Sequence, residues 1–255
     1  MTARTGGKGG GKGGGGKSAG KARPSGRNLA VRVHTARRRK NSSTRWLQRQ
    51  LNDPYVIAAK KDGYRSRAAY KLLQLDERFG LLKKGQTVVD LGAAPGGWTQ
   101  VLLQVLGRKS TILAVDVNEM EPIGGCQTLM ADVMELETEV AIRAALGRRA
   151  DLVLSDMAPP ATGHRATDHL RIIALAEAAL DLARGVLAPG GSFVTKVWQG
   201  GTEQGLLADL KRDFAHVRHA KPEASRAGSA EMYVVATGYR GADDEIGDKL
   251  EQEEG

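Results

Sequence analysis

Only one cysteine, Cys126, occurs in 255 residues, so no intramolecular disulfide can form, and a reducing compartment is the natural setting for such a chain. The five histidines are scattered, and no His and Cys spacing matches a zinc site. No apolar run approaches the length of a membrane span, and residues 1–28 lack the hydrophobic stretch of a secretory signal. Acidic residues are missing from the first 52 positions, which hold 14 Lys or Arg. That charge would suit a mitochondrial presequence, but ten glycines in the first twenty residues oppose the amphipathic helix such a sequence needs. The glycines follow no triplet period, which excludes collagen. A soluble cytoplasmic protein, with no metal and no membrane partner, is the expectation.

The charge that is present sits unevenly. The formal net charge is +9, yet Gly241–Gly255 carries seven acids against one Lys, and between the two tails 23 bases face 22 acids. A basic arm on a balanced body suits a polyanion, nucleic acid foremost; a solvated tail that only aids solubility is the alternative. Residues 1–42 are Gly-, Lys- and Arg-rich and cannot bury apolar surface, so they are expected to stay disordered until a partner orders them. The acidic stretch 241–255 is expected to be disordered too. With 41% apolar residues the chain can bury one good core, placed here as a single domain over 43–240.

Within that domain Val88–Trp98, VVDLGAAPGGW, runs an apolar strand into a glycine-rich turn and then a helix. Small residues there let backbone approach a ligand closely. A dinucleotide fingerprint reads G-x-G-x-x-G, whereas Gly92, Gly96 and Gly97 give G-x-x-x-G-G around Pro95. S-adenosylmethionine (SAM) fits this spacing better than a dinucleotide does, and a purely structural tight turn remains the plainer alternative. Further apolar runs at Thr111–Asp116, Gln127–Met130, Asp151–Ser155 and Ser192–Val197 join Thr87–Leu91. Helix-like stretches at Gly97–Leu106, Val140–Leu146, Thr167–Val186 and Glu203–Phe214 separate or follow them, which reads as β-α-β units around a parallel sheet. His216–Ala220 and Glu231–Gly238 look like two strands without a helix between them, hence an antiparallel pair at the sheet's end. Ahead of all this, Arg65–Phe79 places Ala68, Leu72, Leu75 and Phe79 at helical spacing, and Gly80 ends the helix.

In open sheets of this kind ligands sit beyond the C-terminal ends of the strands. Asp90, Asp116, Asp132, Asp156 and Lys196 all fall there. Asp116, 20 residues after Gly96, is placed to accept ribose hydroxyls, with a helix-capping role as the alternative. Asp132 is placed to accept from an adenine amino group. For Asp156 and Lys196, a structural ion pair and a catalytic pair are equally consistent with position. Burial and a second cation favour a neutral lysine amine, whereas an adjacent carboxylate favours the ammonium, and that balance decides whether Lys196 can act as a base.

Taken together, RWLQ at Arg45–Gln48, RSRAAYKL at Arg65–Leu72, VVDLGAAPGGW, SDMAP at Ser155–Pro159, LAPGGSFVTKV at Leu187–Val197, then Lys221-Pro222, Ser225-Arg226 and EMYVVATG at Glu231–Gly238 form an ordered set. On these residues the chain resembles the FtsJ-like (RlmE-type) 2′-O-ribose methyltransferases of large-subunit ribosomal RNA, over about Ser43–Arg240. The resemblance implies a Rossmann-like class I SAM-dependent methyltransferase fold, a mostly parallel seven-stranded sheet with an antiparallel C-terminal hairpin. It implies a catalytic set Lys71, Asp156, Lys196 and Glu231, and SAM contacts at Gly96, Trp98, Asp116, Asp132 and Asp156. The implied substrate is a uridine ribose in large-subunit ribosomal RNA on the assembled particle. A monomer acting on RNA rather than DNA is expected, since the 2′-OH itself separates the two.

In this reading Lys196 deprotonates or polarises the 2′-OH, Asp156 orients Lys196, Lys71 tunes it and contacts the nucleotide, and Glu231 holds lysines and ribose. Arg27–Arg49 with Arg65 and Arg67 would grip phosphates, and Trp46 and Tyr64 are candidates for base stacking or core packing. Asn52-Asp53-Pro54-Tyr55 superficially matches the D/N-P-P-Y motif of amino-methyltransferases but lacks the second proline and precedes the cofactor turn. Pro160 stands where many family members carry Asn, which concerns the substrate loop and not the four catalytic positions. The competing functions are a transfer-RNA 2′-O-methyltransferase and a non-catalytic RNA-binding assembly factor.

Overall fold

The computed structural model describes residues 41–200, 204–226 and 228–241. The arm expected over 1–42, save its last two positions, and the tail expected over 241–255, save Gly241, lie outside the described residues, as do the side chains of Arg45, Trp46 and Arg49.

The alternation of apolar runs and amphipathic stretches builds one seven-stranded sheet in the order β3-β2-β1-β4-β5-β7-β6. The strands are β1 (Thr87–Leu91), β2 (Thr111–Asp116), β3 (Gln127–Met130), β4 (Ala150–Ser155), β5 (Leu187–Trp198), β6 (Phe214–Ala220) and β7 (Glu231–Tyr239). β1 to β5 run parallel, and β7 inserts antiparallel between β5 and β6. This is the expected mostly parallel sheet with an antiparallel C-terminal pair. β5 begins five residues earlier than the apolar pattern suggests, because Leu187 pairs with Ala150 ahead of a register shift.

Helices α3 (Ala69–Phe79) and α4 (Gly97–Leu106) cover one face of the sheet, where Leu72, Leu75, Trp98, Val101 and Leu102 pack on Val88, Leu152, Val194 and Tyr233. The other face is covered by α5 (Glu137–Leu146), α6 (Arg165–Val186) and α7 (Gln204–Asp213). β1 is buried along its whole length, as a central parallel strand covered on both faces must be. Truncating Leu75, 1% exposed in this layer, should cost about 2–5 kcal/mol through lost transfer energy and a cavity.

Two further helices, α1 (Asn41–Leu51) and α2 (Pro54–Asp62), precede α3. The Asn52–Tyr55 tetrapeptide is part of this: Asp53 caps α2 by accepting from the Tyr55 N–H at 3.0 Å, and Pro54 is its first residue. The helix read from Arg65 starts only at Ala69. Residues 65–68 are drawn instead toward α4, where the Arg65 N–H donates to Gln100 Oε1 at 2.7 Å and the Trp98 indole donates to the Ala68 carbonyl at 2.7 Å.

Candidate active site

Four chain segments deliver charged side chains to the C-terminal rim of β4 and β5. Lys71 comes from the first turn of α3, Asp156 follows the last residue of β4, and Lys196 and Glu231 come from the paired ends of β5 and β7. Lys71 and Lys196 are only 8% and 7% exposed. Buried charges are tolerated when paired and hydrogen-bonded, and these are. Lys71 Nζ donates to Glu231 at 3.0 Å, to the Tyr233 hydroxyl at 3.0 Å, and lies 3.4 Å from both Asp156 carboxylate oxygens. Lys196 Nζ donates to the Asp156 carbonyl at 2.7 Å and to Asp156 Oδ1 at 3.0 Å. Burial would raise the Asp156 carboxyl, but the Lys196 and Lys71 charges and the Tyr233 hydrogen bond outweigh it and hold it below the usual carboxylate range.

Two further members of this cluster are absent from the sequence-derived set. Tyr233 is fully buried and donates to Asp156 Oδ1 at 2.6 Å while accepting from Lys71; burial, then the neighbouring carboxylates, push its hydroxyl well above the ordinary tyrosine range. Ser225 donates to Glu231 Oε1 at 2.7 Å. Strand alternation carries a signal for Tyr233, two residues from Glu231 and therefore on the same face. Ser225 stands in the Ser225-Arg226 pair of the family motifs, but its reach to Glu231 follows only from the way the β6–β7 connection folds back.

The two lysines differ in what they have left to offer. An ammonium has three N–H groups, and for Lys71 the Asp156, Glu231 and Tyr233 acceptors match that number. Lys196 has two acceptors among the described residues, the carbonyl and carboxylate of Asp156. Lys196 and Glu231 also line a cleft of about 1010 Å³, bounded by Pro159, Ile172, Trp198 and Ser229. The Pro160 loop that forms one wall is tied down by Asp168, whose Oδ1 accepts from the Thr162 N–H and hydroxyl at 2.7 and 2.6 Å.

The glycine-rich turn lies beside this cluster. Gly96 adopts φ 106° and precedes α4, and a Cβ there would sit 2.6 Å from Ile123 Cδ1 in the loop after β2. Gly97 has no room for a side chain because Ser66 Oγ occupies the space. Asp116 Oδ1 accepts from the Asn118 N–H at 2.8 Å and Nδ2 at 2.9 Å, and Oδ2 accepts from the Ala94 N–H at 2.9 Å. One acceptor position thus remains on Asp116, fewer than a pair of ribose hydroxyls would take. Asp132 is exposed, and its Oδ1 accepts from the Met134 N–H at 3.0 Å. The Trp98 side chain is committed elsewhere: its ring packs on Tyr233 with centroids 5.8 Å apart and its indole is spent on Ala68. Its backbone lies in the first turn of α4, next to the glycine-rich turn. Asp90 is fully buried with Thr99 donating to Oδ2 at 2.7 Å, and burial pushes its carboxyl up to about 7.

Arg65 and Arg67, the described residues expected to contact phosphate, both make contacts inside the protein. Arg65 donates to the carbonyls of Pro95, Glu121 and Pro122 at 3.1, 2.7 and 3.2 Å, joining the glycine turn to the loop after β2. Arg67 donates to the Ala224 carbonyl and pairs with Asp53 at 3.2 Å, fastening the β6–β7 connection. Each guanidinium thus spends part of its donor set on the protein's own carbonyls. Tyr64 likewise packs edge-on against Tyr70 at 5.7 Å and donates to Gln104 at 2.7 Å, so it serves packing rather than base stacking.

Residues 64–239 match the FtsJ-like methyltransferase family. The chain belongs to that family. It is 60% identical over 221 residues to the "ribosomal RNA large subunit methyltransferase E" of Paramagnetospirillum magneticum, covering 85% of this chain and 91% of the relative. It is 55% identical over 232 residues to a protein of the same name from Azorhizobium caulinodans, covering 90% and 97%. Among solved structures, a ribosomal RNA methyltransferase from Plasmodium falciparum superposes with a TM-score of 0.64 at 29% identity, covering 70% of this chain and 100% of that one. As an FtsJ-like protein the chain is a methyltransferase and requires a methyl donor. Among the described residues no helix is long and apolar enough to cross a membrane, and no group of side chains could hold a metal ion.

Proposed function

We propose that this FtsJ-like enzyme transfers a methyl group from SAM to the 2′-oxygen of a uridine ribose in large-subunit ribosomal RNA, acting as a cytoplasmic monomer on the assembled particle. The observation that carries the chemistry is the uncommitted position on Lys196 Nζ, facing the cleft while its other N–H groups are held by Asp156. The substrate class rests on the names of the relatives, two of them at 55–60% identity.

The residues fit SAM. Ser66 Oγ is buried without a hydrogen-bond partner and abuts the start of α4, whose first-turn N–H groups have no intrahelical acceptors. That combination suits the carboxylate of an amino-acid tail. Gly96 and the Trp98 backbone would border it, Asp116 Oδ2 would accept from the ribose, and Asp132 would accept from the adenine amino group. When bound, SAM supplies a methyl group activated on a sulfonium. Catalysis by the chain then consists of alignment and management of one proton. With its two N–H groups on Asp156, Lys196 would have to enter as the neutral amine, its lone pair accepting the 2′-OH proton as the O–CH3 bond forms and the methyl–sulfur bond of the donor breaks. Asp156 fixes the Lys196 amine through two contacts. Lys71 and Tyr233 fix Asp156, and Glu231, held by Ser225 and Lys71, borders the ribose. The basic arm, outside the described residues, suits an rRNA phosphate backbone.

The test is transfer of labelled methyl from SAM to large subunits from cells lacking this protein, with naked rRNA and transfer RNA in parallel. Label at one uridine 2′-oxygen in the subunit is expected. Label on transfer RNA alone would replace the substrate, and tight particle binding without label would replace the enzyme with an assembly factor.

A further inference from the structure

Trp198 closes β5 two residues beyond Lys196, and the β5–β7 register sets it opposite Glu231, just as Lys196 stands opposite Tyr233. Alternation along each strand therefore puts Lys196, Trp198, Tyr233 and Glu231 on one face. Residues directly opposite in an antiparallel pair have Cβ atoms about 4.5–5.5 Å apart, so the indole flanks the Glu231 carboxylate. A two-residue step along a strand spans about 6.8 Å. That is the scale of a nucleoside measured from its ribose hydroxyls to the middle of its base.

The surroundings of Trp198 fit a flat, partly apolar occupant. The side chain is half-buried, lines the cleft together with Lys196 and Glu231, and shares it with Ala158, Pro159 and Ile172. Behind it stands His169 of α6, ring centroids 6.4 Å apart and tilted by 54°, which backs the indole without itself lining the cleft. The other large aromatics near the site are already used: Trp98 and Tyr233 pack on each other, and Tyr64 packs on Tyr70. Among the described residues Trp198 is left as the aromatic surface beside the reacting position.

We propose that Trp198 is the platform on which the base of the acceptor nucleotide stacks, so that the enzyme takes an unpaired nucleotide turned out of its helix. This rests on the ribose-methylation reading and adds the base to it. A base must leave its own stack to meet an aromatic face, and aromatic stacking tolerates any base. Trp198 thus selects for an unpaired nucleotide rather than for its identity, and it orients the 2′-OH toward Lys196.

The experiment is a double-mutant cycle on reconstituted subunits that carry either the native target nucleotide or an abasic one with its ribose intact. On native substrate Trp198→Ala should lower kcat/KM roughly 10- to 100-fold, as loss of one stacked base does, while SAM affinity stays unchanged. Trp198→Phe should recover most of that loss. On the abasic substrate wild type and Trp198→Ala should be equally slow. An additive cycle, in which Trp198→Ala loses the same factor on both substrates, overturns the proposal. If Trp198→Ala fails to bind SAM, Trp198→Leu, which keeps apolar bulk without the flat face, takes its place under the same criteria. A wild-type enzyme inactive on every RNA would overturn the methylation reading together with this one, whereas an active wild type with an additive cycle defeats stacking alone.

Discussion

Asp90 and Asp156 stand at the C-terminal ends of neighbouring strands of the same sheet, Asp90 buried and Asp156 half-buried, and their environments drive them in opposite directions. Asp156 lies within reach of two ammonium groups and a phenol and is held below the ordinary carboxylate range. Asp90 has the Thr99 hydroxyl as its hydrogen-bond donor, and burial raises it to about 7. The contrast extends to the regions around them. On the Asp156 side, charge is concentrated and mutually satisfied, with one lysine position left over at the cleft. On the Asp90 side, the turn is built from glycine, backbone N–H groups and an orphaned serine hydroxyl, with little charge of its own. A region that must move a proton needs fixed charges, whereas a region that must seat a large ligand needs vacant hydrogen-bonding capacity and room for backbone to approach.

The sharpest way to break this division is Lys196→Ala. It removes the ammonium that keeps an uncommitted position toward the cleft among the described residues and leaves the glycine turn intact. Methyl transfer should fall by roughly 10²–10⁴-fold, the range expected for loss of a positioned acid–base group, with SAM affinity by calorimetry unchanged. Near-wild-type turnover would show that Lys196 belongs to a structural ion pair only.

Substitution on the other side should give the reverse pattern. Asp116→Ala removes an acceptor with one position left for ligand, and SAM affinity should drop on the order of 10- to 100-fold, the weight of a charged hydrogen bond. At saturating SAM, turnover and the KM for RNA should stay close to wild type. An unchanged SAM dissociation constant would mean that Asp116 serves only the Ala94 and Asn118 N–H groups it already accepts from.

Much of this division is legible in the amino-acid sequence. The strand ends place Asp90, Asp116, Asp156 and Lys196 on one rim because open α/β sheets collect ligands there, and the family motifs nominate Lys71 and Glu231, which the fold brings to the same point. Less legible are the contacts that depend on which segments meet. Ser225 reaches Glu231 through the return of the β6–β7 connection. Arg65 and Arg67 resemble phosphate ligands because a basic residue in a polar segment carries no sign of internal acceptors; the carbonyls they bind lie 30 to 157 residues away in sequence. α2 is hidden by a catalytic-looking tetrapeptide that is a helix cap, the commoner use of Asp before Pro.

The subtlest test turns the two aspartates against each other through pH. A carboxyl raised on folding binds its proton more tightly in the native state, so its contribution to stability is complete below the unfolded value near 3.8 and is lost as pH rises through about 7. Asp156 has the opposite sign, and its contribution is lost as pH falls below the ordinary aspartate range. Asp90→Asn keeps an acceptor for Thr99 and removes the titration. Its stability relative to wild type should be near zero at pH 4 and should grow in the variant's favour toward pH 8. The limit is about 4 kcal/mol, at roughly 1.4 kcal/mol per pKa unit. Denaturant unfolding at four or five pH values would read this difference directly. A flat difference across that range would mean that Asp90 is already ionised in the native state near pH 4, and that the donor side holds a buried charge after all.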